Sequence, residues 1–181
     1  IGRMSKLVCV NIDILDETGA LETKYKSTLK KIARVVLKEL QLPKGSELCI
    51  SFIDDIKMRE LNQAYRQIDR TTDVLSFPQS EGPDFTLLGD IVISIQTADR
   101  HSKAYGVTLH EELKKLIIHG TLHLLGHDHK KKKETQIMRE KEEELSLIVK
   151  DLKVYKPYFP FLILSLTSST AREVDLVIVN V

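Results

Sequence analysis

The chain concentrates four of its six histidines within one short segment, HGTLHLLGHDH, at residues 119–129. His119 and His123 are four residues apart, so on a helix their side chains lie one turn apart on the same face, as in helical zinc motifs. Gly126 follows the last leucine and predicts a helix end from which the chain turns back, which would bring His129 to the same ion. The spacing therefore predicts one metal site with His119, His123 and His129 as ligands, most typically for zinc, although other transition metals also accept imidazoles.

Three protein ligands leave the fourth tetrahedral position open, which is typical of catalytic rather than structural zinc sites. The same ligand spacing occurs in HExxHxxGxxH peptidases, where the residue after the first histidine is the glutamate that acts as general base. Here that residue is Gly120, which would open space beside the metal or allow close helix packing. A metal-dependent peptidase or amidohydrolase stays an alternative that the missing glutamate argues against. A second alternative is a non-catalytic zinc-binding module, in which the ion only holds the fold.

A second group of polar residues lies in the segment LNQAYRQIDRTTDVLSFP at residues 61–78. Arg66 stands at the predicted end of a helix, and an arginine near a metal can clamp a phosphate through two parallel hydrogen bonds. Taken alone, an arginine in this position is more typical of a surface salt bridge. Asp73 and Asp90 flank predicted strands, where single carboxylates usually serve as caps or turn residues. Only in combination with the metal site does this segment favour phosphate chemistry.

Hydrophobic spacing predicts the elements that would position these residues. Asp54 and Thr108 are N-cap candidates, and Glu111, three residues after Thr108, completes a capping-box pattern. The alternation of elements predicts an α/β chain with an α+β sandwich fold: a mixed sheet of about four strands with packed helices, and the metal site at the C-terminal end of a helix. Strands are predicted at 6–13, 47–53, 74–77 and 88–95, and helices at 20–41, 54–65, 108–124 and 134–152.

The length and net charge of the chain limit the classes of function that fit it. With 181 residues and a net charge of +1, the chain suits one domain and carries no global field that would attract nucleic acid or membrane. The basic run at 130–133 is a local patch that could attract a polyanion, although such runs are usually solvated. We expect a single metal-dependent hydrolase domain at 4–155, after a short leader that resembles an expression scar. Residues 156–181 would form a C-terminal extension of unknown role.

Three segments of the chain resemble motifs of one known family, and they occur in the same order as in that family. HGTLHLLGHDH is similar to the HGxLHLxGxDH signature of the YbeY family of metal-dependent endoribonucleases. LNQAYRQIDRTTDVLSFP resembles that family's LNxxxRxxDxxTDVLSFP segment, and LLGDIVIS resembles its LGDIxIS strand. The resemblance covers roughly residues 46–150. It implies a compact sheet with packed helices and a zinc-type site, one ion per chain, bound by His119, His123 and His129.

The resemblance also implies a function: single-strand-specific endonucleolytic cleavage of RNA in ribosomal RNA maturation and ribosome quality control. Arg66 matches the family's important arginine and would act with the three histidines as a catalytic residue. The implied partners are single-stranded RNA and ribosomal RNA, with ribosomal proteins or ribosome-associated factors as further candidates, and the implied location is the cytoplasm. His127 departs from the family pattern, which commonly has an aromatic residue there, and would add an extra ligand or a proton carrier.

Overall fold

The computed structural model describes residues 10–79, 86–127 and 132–152, and the predicted extension at 156–181 lies outside them. Its α+β fold, with one mixed sheet of four strands, confirms the predicted fold class. No helix in these ranges is both long and apolar enough to cross a membrane. The elements are, in chain order, β1 (Asn11–Asp16), α1 (Thr23–Glu39), β2 (Glu47–Ile53), α2 (Asp55–Arg66), β3 (Val74–Pro78), β4 (Leu87–Ser94), α3 (Ile95–Tyr105), α4 (Leu109–Leu124) and α5 (Lys132–Val149).

The sheet has the strand order β1-β2-β4-β3. β1, β2 and β4 run parallel, and β3 pairs antiparallel with β4 along the opposite edge. β4 reads LLGDIVIS and is buried along most of its length, as expected for an inner strand covered on both faces. β3 is therefore an edge strand with one side of its backbone unpaired within the described sheet.

The two faces of the sheet carry different helices, because side chains alternate between faces along a strand. Ile50, Ile91 and Ile93 belong to the large apolar core that also includes buried residues of α1, α4 and α5. Val92 and Leu75 face the other way and form a smaller cluster that includes residues of α2. α2 and α4, the helices that carry the sequence-predicted site residues, thus pack on opposite faces of the sheet.

Hydrophobic spacing predicts no helix between β4 and α4, yet α3 occupies residues 95–105. Its buried residues are mostly small or polar, so its apolar stripe is too weak to register as a helical period. The residues at the two ends of α3 are a clearer signal of a helix than its weak apolar stripe. The Ser94 hydroxyl accepts the Thr97 N–H at 3.3 Å, and Gly106 ends the helix with a φ of 67°. These two residues are the capping signals from which α3 could be predicted.

Candidate metal centre

α4 carries the first two predicted ligands and begins at a complete capping box. The Thr108 hydroxyl accepts the Glu111 N–H at 3.2 Å, and the Glu111 carboxylate accepts the Thr108 N–H at 2.8 Å. The predicted cap is therefore confirmed. Leu113, Leu116 and Ile117 are buried along the helix, so α4 is held against the sheet while its final turns present histidines to a half-exposed surface.

His119 and His123 converge as the four-residue spacing predicts. Their Nε2 atoms lie 3.1 Å apart, and the ring centroids are 4.5 Å apart. Two nitrogens bound to one tetrahedral zinc ion at about 2.0–2.1 Å would be separated by about 3.3 Å. The pair is therefore preformed close to chelating geometry, and the donor set fits a transition-metal ion.

The other nitrogen of His119 is engaged by a carboxylate from a different helix. Nδ1 of His119 lies 2.6 Å from Oε1 of Glu142 on α5. A carboxylate at Nδ1 fixes the ring orientation and keeps the proton on that nitrogen, which leaves Nε2 as the metal-binding atom. Glu142 lies outside the sequence motifs described above. The sequence signal for it is its position, because it shares the helical face of the buried residues Met138, Leu145 and Val149.

The end of α4 turns as Gly126 predicts. Gly126 has a φ of 82°, a left-handed conformation that favours glycine. The Gly126 N–H donates to the His123 carbonyl at 3.0 Å, and the His127 N–H donates to the Leu122 carbonyl at 3.1 Å. This pair of bonds is the Schellman motif. The chain therefore reverses immediately after the second histidine, while the predicted third ligand, His129, lies outside the described residues.

His127 is the last described residue before that third position. Partial burial lowers the pKa of His127, and the positive charge of Lys141 on α5 lowers it further. Its side chain is half-buried, so the histidine that replaces an aromatic residue still packs against the protein.

Gly120 faces the sheet rather than the metal site. A Cβ atom built on Gly120 would lie 2.9 Å from Cγ2 and 3.0 Å from Cδ1 of Ile91 on β4. Of the two roles predicted for this glycine, the structure therefore supports close helix packing. The same geometry explains why a peptidase-type glutamate is absent, since a side chain at residue 120 would run into the sheet.

Arg66 does not touch the histidine pair. It ends α2 and is exposed, and its side chain has no hydrogen bond or ion pair among the described residues. Its neighbour Tyr65 packs edge-on against Phe77 of β3, with ring centroids 4.8 Å apart. On the opposite face of the same strand, the Ser76 hydroxyl donates to the Gly120 carbonyl at 3.3 Å. The end of α2 and the end of α4 are thus linked through β3, with the edge of the sheet between them.

An open cavity of about 440 Å³ adjoins His123, one residue of the histidine pair. His123 and Gly126 form one wall, and most of the other lining groups are apolar. This volume falls in the range of small-molecule sites, which bury a ligand against apolar walls beside a few polar groups. The remaining lining residues are Leu42, Pro43, Pro78, Leu88, Leu124 and Leu125.

The two aspartates predicted to flank strands have different surroundings. Asp90 lies within β4 and not at its end, so it is neither a cap nor a turn residue; its carboxylate accepts a hydrogen bond from the Gln79 side chain at 2.8 Å. Asp73 directly precedes β3 and lies together with His101 and Glu112 in a group of side chains able to hold a metal ion. The sequence predicts neither of these two partners of Asp73.

Comparisons with known proteins agree on one family. Residues 11–150 match the family model described as Endoribonuclease YbeY. A protein of that name from Desulforamulus reducens is 38% identical over 143 residues, covering 75% of this chain and 94% of that protein. One from Pelotomaculum thermopropionicum is 41% identical over 132 residues, covering 70% and 87%. One from Myxococcus xanthus is 46% identical over 117 residues, but the chain spans only 40% of that relative's length.

A solved structure has a similar fold. The solution structure of TM1509 from Thermotoga maritima is 27% identical in sequence and superposes with a TM-score of 0.51. The match covers 81% of this chain and 97% of that protein.

Proposed function

The chain belongs to the YbeY endoribonuclease family, and on that premise we propose that it is a zinc-dependent endoribonuclease that cleaves single-stranded RNA during ribosomal RNA maturation and ribosome quality control. The observation that carries this proposal is the convergence of the His119 and His123 Nε2 atoms at 3.1 Å beside an open cavity. The Glu142 carboxylate beside His119 also supports the proposal, because it orients the imidazole ring for metal binding.

We assign zinc to His119, His123 and, beyond the described residues, His129. Imidazole donors in a tetrahedral arrangement suit zinc best among the abundant divalent ions. When bound, the ion supplies Lewis acidity towards a phosphoryl oxygen or a water molecule. The chain's own contribution is to hold the imidazoles in place through the capped helix, the Glu142 contact and the turn at Gly126.

The cavity beside His123 provides the preference for single strands. An unpaired nucleobase can leave its stack and enter an apolar pocket of about 440 Å³, whereas a base within a duplex is held by pairing and stacking. A base seated between Pro43, Pro78 and Leu125 would place the adjoining backbone at the open side, next to the histidine pair. Substrate selection then follows from the accessibility of the base rather than from its sequence.

Arg66 binds the RNA backbone in this proposal, but away from the reacting phosphate. Arg66 is the exposed last residue of α2, and α2 packs on the opposite face of the sheet from α4, which carries the histidine pair. An RNA strand that crosses the β3 edge would meet Arg66 a short distance from the cleaved bond. Arg66 would thereby hold the strand in register by binding a phosphate with two hydrogen bonds.

The near-neutral net charge of +1 predicts weak autonomous binding to RNA, since non-specific affinity rises with the number of phosphates that the protein neutralises. We therefore propose that ribosomal proteins or ribosome-associated factors help to present the ribosomal RNA, and that the protein works in the cytoplasm.

The direct test compares cleavage of one RNA sequence as a single strand and as a duplex. We expect wild-type protein loaded with zinc to cut the single strand preferentially and His123→Ala to lose at least about 100-fold in rate, given the usual effect of removing a metal ligand. His110→Gln removes a histidine from the same helix outside the site and should keep its activity. Equal cleavage of the duplex, or full activity of His123→Ala, would contradict the proposal.

Three further readouts identify the attacking group and separate the proposal from its two alternatives. The chemistry at the product ends identifies the attacking group, because attack by the 2′-hydroxyl leaves a cyclic or 3′-phosphate and attack by water can leave a 3′-hydroxyl. Incubation with a peptide library addresses the peptidase alternative, and hydrolysis lost in His123→Ala would support it. Folding that requires zinc, together with no RNA cleavage by the loaded protein, would support the alternative of a non-catalytic, ribosome-associated zinc-binding module.

A further inference from the structure

We propose that Asp73, His101 and Glu112 form a second cation site, separate from the histidine pair, which binds a divalent transition-metal ion of the Mn²⁺ or Zn²⁺ type. Each residue offers one ligand atom, and the three atoms all lie within 4.8 Å of one another. They come from three different places in the fold: the residue before β3, the middle of α3 and the first half of α4. An ion there would tie these three segments together.

The local hydrogen bonds orient Asp73 towards the group. Its Oδ1 atom accepts the Val74 N–H at 2.8 Å, and its carbonyl accepts the Ser94 N–H at 2.9 Å, so the backbone and one carboxylate oxygen are fixed. The second oxygen, Oδ2, points to His101 and lies 3.4 Å from its Nδ1 atom. This separation exceeds that of a good charge-assisted hydrogen bond, which leaves both atoms able to bind an ion between them.

The buried carboxylate of Glu112 requires an explanation. It is only 2% exposed, and its Oε1 atom has no hydrogen-bond partner among the described residues. The Lys115 ammonium lies 3.6 Å from that oxygen, but the lysine side chain is 56% exposed, and its ammonium also lies over the Tyr105 ring, 5.2 Å from the ring centroid. A buried carboxylate oxygen without a hydrogen bond is costly unless a positive charge compensates it. A bound divalent cation would supply both the charge and the missing coordination.

The donor set indicates the class of ion. Two carboxylates and one imidazole suit zinc, manganese or iron, whereas calcium and magnesium prefer all-oxygen shells. The two negative charges of Asp73 and Glu112 also balance a divalent ion. Water molecules would complete the shell on the side where His101 is partly exposed.

The site is too far from the histidine pair to act as a second catalytic metal. Glu112 and His119 are seven residues apart on α4, which places them on the same face but about 10 Å apart along the axis. Metal ions that share a reacting group lie about 3.5–4 Å apart. The role of the second ion is therefore positional: it anchors the first half of the helix whose last turns present His119 and His123.

Metal content after equilibrium dialysis against Mn²⁺ or Zn²⁺ tests the proposal. Wild-type protein should hold two equivalents, and Asp73→Asn/Glu112→Gln, which preserves side-chain shape, should hold one. The matched control Asp90→Asn/Glu144→Gln removes two carboxylates elsewhere and should still hold two. One equivalent in wild type, unchanged in Asp73→Asn/Glu112→Gln, would overturn the proposal.

The complementary variant removes the histidine site. His119→Ala/His123→Ala/His129→Ala should still bind one equivalent of Mn²⁺ and should melt at a higher temperature when Mn²⁺ is added, because an ion that binds only the folded state stabilises it. No binding by this variant in its folded form would show that the second site does not exist. If the variant fails to fold, the preceding experiment decides the question, because it compares the metal content of wild type with that of Asp73→Asn/Glu112→Gln.

Lys115 provides a signature that non-specific binding to surface acids would not produce. Its ammonium competes with the ion for Glu112, so Lys115→Ala should tighten Mn²⁺ binding at this site, by roughly three- to tenfold at low salt. Lys114→Ala removes the same charge from the neighbouring residue of α4 and should have a much smaller effect. Equal effects of the two variants, or weaker binding by Lys115→Ala, would contradict the proposal, because the measured ion would then not be bound at Glu112.

Discussion

The Oε1 atom of Glu142 lies 2.6 Å from Nδ1 of His119, which joins the carboxylate of one helix to the imidazole of another. The two residues are 23 positions apart in sequence, and the contact brings α5 against the last turns of α4. Glu142 occupies a position that would otherwise be apolar, one turn after the buried Met138 and three residues before the buried Leu145. The metal centre therefore depends on how α5 is rotated and not only on the histidine helix.

Glu142→Gln should weaken metal binding at the histidine pair. The amide keeps the shape of the side chain but loses the charge that holds the proton on Nδ1, and loss of such outer contacts typically costs 10–100-fold in metal affinity. Competition with a chromogenic zinc chelator measures this loss. Glu144→Gln, an exposed position on the same helix, is the matched control. Equal affinities of the two variants would show that Glu142 does not orient His119.

Gly120→Ala should destabilise the protein even though alanine is the better helix former. The helix would gain about 1 kcal/mol from the substitution, but the added methyl group would overlap Ile91 and cost roughly 1–3 kcal/mol. We expect a net loss of up to about 2 kcal/mol in urea unfolding. In an Ile91→Ala background, which removes all three contacting atoms, the same change should be neutral or stabilising. A loss of equal size in both backgrounds would contradict the packing role.

Local signals in the sequence were sufficient to predict the secondary-structure features that position the site. β2 was predicted with its observed bounds, and the capping box at Thr108 and the left-handed turn at Gly126 are both confirmed. Each of these features depends on residues within a few positions of one another, where spacing and side-chain type decide the geometry. The convergence of His119 and His123 follows from the same short-range rule.

Contacts between distant segments could not be predicted in this way. Glu142 on His119, and the grouping of Asp73 with His101 and Glu112, depend on how three helices are rotated against one sheet. No spacing rule relates residues that lie tens of positions apart, so Asp73 was predicted only as a cap or turn residue, and no role was predicted for Glu112 or Glu142. Charged residues on the buried faces of α4 and α5 were the only sequence signal, and such faces can be recognised only once the helix bounds are known.

The unfolding free energy should decrease in mild acid because of His110. Its Nδ1 atom lies 3.1 Å from the hydroxyl of buried Tyr25. Burial, reinforced by the charge of Lys114, lowers the pKa of His110 to about 4. The unfolded chain takes up this proton near its ordinary value of 6.5, whereas the folded chain does so only near 4. The contribution of His110 to the free energy of unfolding is therefore complete above about pH 6.5 and is lost as the pH falls towards 4.

His110→Gln should remove that part of the pH dependence. The difference in unfolding free energy between wild type and variant is expected to be largest at pH 7 and to shrink steadily down to pH 4. NMR titration of the His110 ring protons in the folded protein provides an independent measurement. A midpoint near 6.5 would contradict the prediction.

Asp55→Asn should loosen the junction between α2, β4 and α3. The Asp55 carboxylate accepts hydrogen bonds of 2.6 Å from Ser94, Thr97 and Arg100. Burial opposes its charge, but hydrogen bonds from Arg100, Ser94 and Thr97 outweigh burial and lower the pKa of Asp55 to about 2. We expect a loss of about 1–2 kcal/mol at pH 7. The loss should diminish as the pH falls from the ordinary value of 3.8 towards 2, because the wild-type carboxylate also becomes neutral.

Chemical denaturation across this pH range measures the effect. Asp13→Asn, which changes an exposed carboxylate on β1, serves as the control and should have little effect at any pH. A deficit in Asp55→Asn that persists unchanged at pH 2 would show that the carboxylate charge is not the stabilising feature.

Arg66→Ala should weaken binding of single-stranded RNA more than it slows cleavage at saturating RNA. Arg66 is exposed and lies across β3 from the histidine pair, so it can bind a backbone phosphate without reaching the cleaved bond. Loss of one phosphate contact should reduce the slope of log affinity against log salt by about 0.7 for a single strand. Arg34→Ala removes an exposed arginine from α1 and should leave the slope unchanged. A rate loss at saturation as large as that of His123→Ala would instead place Arg66 at the reacting phosphate.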